Sequence, residues 1–156
     1  MIYVECKPDY ILIRNLQIPK HKIIHAGNKS KVCKRLMKTN NSIGIIDEDP
    51  GSIQPSYIKQ LIQIYNNQGI KKLYDKNRGN IIILLCPRLE EWIIKAAKNA
   101  GINLNKYNLP DNGYLLHKIV NININKFEKL VKELIERKSE MIKTLENTIK
   151  QNHFYK

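Results

Sequence analysis

The sequence predicts an α/β fold in which helices cover both faces of a largely parallel β-sheet, a doubly wound arrangement, followed by a long C-terminal amphipathic helix. Short apolar runs rich in β-branched residues alternate with helical patterns along the chain, which is typical of βαβ units. These runs are apolar throughout rather than at every second residue, as in strands that are buried on both faces. From Asn125 onward the apolar residues recur at helical spacing only.

The first 46 residues contain three predicted strands and two predicted helices. The strands are "MIYVE" (1–5), "HKIIHAG" (21–27) and "SIGII" (42–46). Asp9 is predicted to cap a helix through "YILIRNLQ", because an Asp side chain can accept hydrogen bonds from the first N–H groups of a helix. "NKSKVCKRLMK" predicts the second helix, since Val32 and Leu36 fall on one face.

The middle of the chain continues the alternation. Pro55 suits the first turn of a helix over residues 56–67. Strands are predicted at 70–74 and 80–86, and "LEEWIIKAAKNAG" predicts a helix that stops at Gly101. The apolar residues that suggest the helix over 56–67 are Ile58, Leu61, Ile62 and Tyr65.

The last part of the chain predicts one amphipathic helix of roughly seven turns. Its polar face carries Lys and Glu, which suits solvent and i,i+4 ion pairs. We expect an α/β domain over 1–112 and a helical extension over 113–156, packed on the domain or on a partner, either another protein or a second copy of the chain. The apolar stripe consists of Phe127, Leu130, Val131, Leu134, Ile135, Met141, Ile142, Leu145 and Ile149.

Composition narrows the partners and the compartment. The chain has 156 residues and a net charge of +13, which favours polyanions, nucleic acid first. Its three cysteines show no zinc-binding or disulfide spacing and are interpreted as reduced thiols. No signal peptide precedes the first strand, and the longest apolar run, 81–86, is too short for a membrane span. A cytoplasmic protein with no membrane partner is therefore expected.

Acidic residues are concentrated where the predicted strands end. Of the nine acidic residues among the first 124, seven lie in "VECKPD", "IIDEDPG" and "PRLEEW". The carboxyl ends of parallel strands face one crevice, so the three segments are expected to converge. Asp47 and Asp49 share a direction if strand geometry persists, and Glu48 then points the other way. Taken singly, each segment is also explained as a turn or a helix start.

Carboxylates brought together repel one another, and a divalent cation offsets that repulsion. Oxygen ligands of this kind favour Mg²⁺ or Mn²⁺ over zinc. Such ions stabilise the attacking and leaving oxygens in phosphodiester cleavage, and a basic surface holds the polyanion. The pattern therefore indicates a metal-dependent enzyme that acts on DNA or RNA.

The same residues resemble the Toprim domain. A strand ending in Glu, then Asp four residues later, then a strand ending in D-x-D is the pattern of that family, here "VECKPD" and "IIDEDPG". "CPRLEEW" is similar to a P-R-x-x-E-x-aromatic segment of Toprim-like proteins related to the overcoming-lysogenisation-defect nucleases, several of which serve in phage defence. The resemblance covers residues 1 to about 110.

The resemblance implies roles for individual residues. Glu5 would be a general acid/base or a metal ligand, and Asp47 and Asp49 would be the metal carboxylates. Asp9 and Glu90 would be further ligands. Arg88 would steady a phosphate, with a structural salt bridge as the equal alternative. Two residues of the third segment, Glu91 and Trp92, are expected to be a helix-start charge and a core aromatic.

Cys6 departs from the family pattern, because many Toprim domains have Gly directly after the first Glu. This departure, with the C-terminal helix, supports an alternative, a non-catalytic Toprim-like module that binds nucleic acid or a partner protein. A third, weaker alternative is a phosphatase or a phosphotransfer receiver. None of the four histidines is placed by the sequence as a base.

Overall fold

The computed structural model describes residues 1–152, which contain six β-strands and seven α-helices. The strands are β1 (Ile2–Val4), β2 (Ile23–His25), β3 (Ile43–Asp47), β4 (Ile62–Asn67), β5 (Ile70–Tyr74) and β6 (Ile81–Leu85). The helices are α1 (Lys7–Arg14), α2 (Lys29–Leu36), α3 (Ser56–Lys59), α4 (Leu89–Asn99), α5 (Gly113–Ile119), α6 (Ile124–Glu136) and α7 (Glu140–Lys150). Residues 153–156, the end of the predicted extension, lie outside the described residues.

The strands form one mixed sheet in the order β2-β1-β3-β6-β5-β4. β2, β1, β3 and β6 are parallel, whereas β5 and β4 are antiparallel to their neighbours. The predicted α/β class with a mostly parallel sheet is confirmed. Because β1 and β3 are adjacent and parallel, Val4 lies opposite Ile45. The residues that follow the two strands therefore lie side by side at the carboxyl ends of the strands.

Two hydrophobic cores cover the two faces of the sheet. Successive residues of β6 alternate between them: Ile81 and Ile83 belong to the larger core and Ile82 to the smaller. The larger core also holds the apolar faces of α1, α4, α6 and α7, and the smaller holds that of α2. Burial on both faces explains why the parallel strands are apolar at nearly every position.

The predicted helix over 56–67 is wrong. Only the four residues of α3 are helical, and the next segment forms β4, which pairs with β5 in a hairpin. Gln68 and Gly69 connect the two strands with φ angles of 53° and 69°, the left-handed pair that a tight two-residue hairpin turn requires. The alternation "IQIY" is a strand pattern, and the few apolar residues also matched helical spacing by chance.

The single C-terminal helix is also wrong, because α6 and α7 are separate helices. The break lies at Lys138, whose φ is 56°, and Ser139 caps α7 by accepting a hydrogen bond from the Ile142 N–H at 3.4 Å. The apolar stripe itself is buried: Phe127 on α6 and Leu145 on α7 belong to the same core as the sheet. Within the described residues no helix is long and apolar enough to cross a membrane.

We expect Gly69→Ala to lower the free energy of unfolding by about 1–3 kcal/mol, because a side chain is strained at positive φ. The added Cβ would also lie 2.9 Å from the Trp92 ring. Gly51→Ala is the matched control, since among residues 1–152 no atom outside its two chain neighbours lies within 4 Å of its Cβ position. Urea unfolding of both variants tests the hairpin, and equal stabilities would contradict this description of the turn.

Candidate metal centre

Three carboxylates converge at the carboxyl ends of β1 and β3. Glu5 directly follows β1, Asp47 is the last residue of β3, and Asp49 lies two residues further. One ligand atom from each of the three lies within 4.8 Å of the other two, and all three residues are partly buried. Residues 42 positions apart in the chain therefore form one compact group of oxygen ligands.

The backbone after β3 turns Asp49 back toward Asp47. The Glu48 N–H donates to the Leu85 carbonyl at 3.0 Å, and the Asp49 N–H donates to the Pro87 carbonyl at 2.9 Å. Asp49 has a φ of 46°, so the strand geometry does not persist. Asp47 and Asp49 still share a direction, and Glu48 points away to an ion pair with Lys71. The predicted side-chain directions agree with the structure, but their cause is this left-handed residue.

Lys29 and Gln54 hold the acidic loop in place, and the sequence did not single out either residue. The Gln54 amide donates to the carbonyls of Glu48 and Asp49 at 3.0 and 2.9 Å. The Lys29 ammonium donates to the Glu48 carbonyl and to the Gln54 side-chain oxygen, both at 3.2 Å, and lies 3.5 Å from Asp49 Oδ2. The one feature of the sequence that could have indicated Lys29 is its position in the first turn of the helix after β2.

Backbone N–H groups orient the other two carboxylates. Glu5 Oε2 accepts a hydrogen bond from the Asp47 N–H at 3.1 Å, and Asp47 Oδ1 accepts one from the Leu89 N–H at 2.8 Å. Leu89 is the first residue of α4, where the helix dipole favours negative charge. The side chains of the group are thus fixed to β3 and to α4 before any ligand binds.

Asp9 lies behind this group and is 1% exposed. Cys6, not Asp9, caps α1, so the predicted cap is wrong; Asp9 is the third helical residue. Its Oδ2 accepts hydrogen bonds from the Cys6 N–H and from the Cys6 thiol, both at 2.9 Å. Its Oδ1 is buried with no hydrogen-bond partner among the described residues, an arrangement that costs free energy unless a cation or a proton is nearby.

Glu90 has the same character on the α4 side and is 4% exposed. Its Oε1 lies 2.9 Å from His117 Nδ1, and its Oε2 is buried with no hydrogen-bond partner in the described part of the chain. Asp9 and Glu90 are outside the group of three ligand atoms, but their charges act on it. The predicted ligands Asp9 and Glu90 therefore lie near Glu5, Asp47 and Asp49 but are not part of that group.

Burial, with added repulsion from neighbouring carboxylates, raises the pKa values of Asp47, Asp9 and Glu5. Burial is the main cause of the raised pKa of Asp47, and the negative charges of Asp9 and Glu5 add to it. Burial likewise raises the pKa of Asp9 despite the hydrogen bond from Cys6. The pKa of Glu5 is raised by burial, with partial compensation from the Asp47 N–H and from Lys29. One lysine does not neutralise this much negative charge.

Arg88 lies at the rim of the group and is held by Glu91. Its Nε donates to Glu91 Oε2 at 3.1 Å, and a second guanidinium nitrogen bonds the other carboxylate oxygen. Glu91 is in the first turn of α4, and Trp92 is buried in the core, as expected. A cleft of about 380 Å³ adjoins the group on this side and is lined by Asp49, Pro50, Gly51, Ser52, Pro87, Arg88 and Glu91.

The donor set suits a hard divalent cation, because all its side-chain ligands are carboxylate oxygens. Comparisons of the chain with protein-family models, with curated proteins and with solved structures found no match.

We expect the metal-free protein to lose stability as the pH rises from 5 to 8. A carboxyl with a raised folded pKa keeps its proton in the native state after the unfolded chain has released it. Its contribution to stability is thus full below about pH 4 and is lost as the pH rises. Asp47→Asn keeps a neutral oxygen for the Leu89 N–H, so this variant should be more stable than wild type by about 1–3 kcal/mol at pH 8 and by less at pH 5.

Chemical unfolding in EDTA at both pH values measures this difference. Asp111→Asn is the control, since Asp111 is exposed and lies outside the group, and its stability should follow that of wild type. An Asp47→Asn variant that is less stable than wild type at pH 8 would contradict the proposed repulsion.

Proposed function

We propose that the chain is a Mg²⁺- or Mn²⁺-dependent Toprim-like nuclease that hydrolyses phosphodiester bonds of DNA or RNA, in phage defence or in nucleic-acid processing. The observation that carries the proposal is geometric. Glu5, Asp47 and Asp49 each present a ligand atom within 4.8 Å of the others. They do so at the carboxyl ends of adjacent parallel strands, where ligands of α/β sheets bind.

The residues present fit a divalent cation. Glu5, Asp47 and Asp49 would hold it, and Asp9 and Glu90 each offer a buried oxygen without a hydrogen-bond partner among the described residues. A bound cation would supply charge neutralisation and Lewis-acid polarisation of a phosphoryl oxygen. The raised pKa values of Asp47 and Asp9 are what carboxyls show when their charge lacks such compensation.

The side chains of the chain itself prepare the site for reaction. Lys29 and Gln54 fix the loop that carries Asp49. Glu5 would serve either as a ligand of the cation or, with its pKa raised by burial, in the transfer of a proton to or from a phosphodiester oxygen, but not as both at once.

Positive charge elsewhere on the chain favours a polyanionic substrate. The net charge is +13, and cationic side chains contribute affinity through the phosphate backbone regardless of sequence. Arg88 lines the cleft beside Asp49, where its guanidinium suits a phosphate of a bound nucleic-acid strand. A second groove of about 480 Å³ is lined by four cationic side chains, Lys106, Lys129, Lys132 and Arg137, and by Glu133 and Glu136. Glu133 pairs with Lys106 and Arg137, which leaves Lys129 and Lys132 as the cations of the groove best placed to attract a phosphate.

Two contacts support the alternative of a non-catalytic module that binds nucleic acid or a partner protein. The ammonium of Lys29 lies 3.5 Å from Asp49, and the Cys6 thiol donates to Asp9. Two of the carboxylates thus have internal partners that would remain without a cation. In that function the basic surface binds and nothing is cleaved.

Cleavage assays test the nuclease. We expect purified wild type to cut plasmid, single-stranded DNA or RNA with Mn²⁺ or Mg²⁺, and not in EDTA. Asp47→Asn and Asp49→Asn should lower the rate by about 100-fold or more, because each removes a charged ligand. Asp111→Asn should cut at the wild-type rate. Full activity in Asp47→Asn would rule out the proposed site.

Calorimetry separates the two functions. If the carboxylates hold a cation, titration with Mn²⁺ should release protons, because ligands with raised pKa values must deprotonate. The heats should then differ between buffers of high and low ionisation enthalpy, and Asp47→Asn should bind Mn²⁺ at least about 10-fold more weakly. Absence of Mn²⁺ binding, together with retained binding of DNA or RNA, would favour the non-catalytic module.

A further inference from the structure

The two edges of the sheet differ in how they are protected. β2 forms one edge and is three residues long, and the segment before it is Lys20, His21 and Lys22. Short length and neighbouring positive charge are two of the devices by which natural proteins keep an edge strand from pairing with another chain. The β2 edge is therefore closed to further strands.

β4 forms the other edge and is protected by a β-bulge between Gln63 and Tyr65, but by neither short length nor charge. It has six residues, five of them exposed, and within residues 1–152 it pairs on one side only, with β5. It lies within Gln60 to Ile70, the longest stretch of the chain without Lys, Arg, Asp or Glu. In so basic a chain an uncharged edge is a marked exception, and its outer N–H and C=O groups can extend the sheet.

The exposed residues of β4 are uncharged, and two of the five are isoleucines. Ile62 is 43% exposed and Ile64 is 52% exposed. A β-bulge between Gln63 and Tyr65 takes Ile64 out of register with β5. Ile64 also borders a cavity of about 380 Å³ that Lys72, Tyr74, Ile81, Gln151 and Asn152 help to line, so this cavity lies over β5 and β6 and not outside β4.

We propose that this edge pairs with the β4 strand of a second copy of the chain, antiparallel, with the two Ile64 side chains near the two-fold axis. The choice of a second copy as the partner of β4 rests on the distribution of charge along the chain. Two molecules of net charge +13 repel each other overall, and they repel least where they meet through their longest uncharged stretch, which a two-fold axis places against itself. Nucleic acid gains nothing from such a strip. Pairing uses the open edge of both copies and leaves β2 outside, so assembly stops at two.

Light scattering coupled to size exclusion tests the dimer. At tens of micromolar we expect wild type to have twice the 18.3 kDa mass of one chain. Ile64→Lys should shift the monomer–dimer midpoint at least tenfold toward higher concentration, because it places two like charges at the axis. The matched control is Ile122→Lys, an isoleucine that is 83% exposed outside β4, which should dimerise as wild type does. A monomeric wild type, or an Ile64→Lys variant that dimerises equally well, would overturn the proposal.

Hydrogen exchange provides a second readout at the strand itself. Amides of Ile62–Asn67 should exchange more slowly in wild type at high concentration than at low concentration, and Ile64→Lys should remove that difference. Protection that does not depend on concentration would contradict the interface. Asp47→Asn should dimerise normally, so failure of the dimer and failure of the nuclease are distinguishable.

Discussion

The repulsion among carboxylates at the end of β1 and β3 is the constraint around which this part of the molecule is organised. Two unit charges about 4 Å apart near a protein surface repel each other by roughly 4 kcal/mol, and Glu5, Asp47 and Asp49 would form three pairs within 4.8 Å if all were ionised. Burial and this repulsion together raise the pKa values of Asp47 and Glu5. The compensation consists of fixed groups, namely the N–H groups of Asp47 and Leu89 and the ammonium of Lys29. The cation proposed above would offset the repulsion that these groups leave uncompensated.

The charge distribution also orders the events of the proposed reaction. The chain as a whole is strongly positive and attracts a polyanion from a distance. Phosphate is repelled at the carboxylate group itself, so an approach to Asp49 through the cleft lined by Arg88 becomes favourable once the negative charge is offset. In the proposed reaction, attraction by the surface and admission to the site would therefore be separate steps, and only admission would depend on the carboxylates.

The sequence predicted the features that depend on local pattern and on topology. The sequence placed Glu5 and Asp47 close together because apolar runs that alternate with helices imply parallel strands. The carboxyl ends of parallel strands face one crevice. Lys29 could not be assigned, because its contact with Asp49 depends on a loop closed by Gln54, which leaves no periodic trace. The β4–β5 hairpin was missed because "IQIYNNQG" is too short to separate a period of 2 from one of 3.6, and the break at Lys138 because the apolar stripe continues across it in register.

The position of β4 makes the proposed dimer independent of the proposed chemistry. Three strand steps separate β4 from β3 in the sheet, so a β4–β4 pair would put seven steps, about 34 Å, between the two β3 strands at the usual spacing. Antiparallel pairing also reverses the strand directions of the second copy. The strand ends that carry its carboxylate group would therefore point the opposite way from those of the first copy. Each site would remain complete within its own chain, and neither copy could supply a ligand to the other. The dimer would thus present two separate, oppositely facing centres, an arrangement suited to two nucleic-acid segments rather than to two cuts in one short duplex.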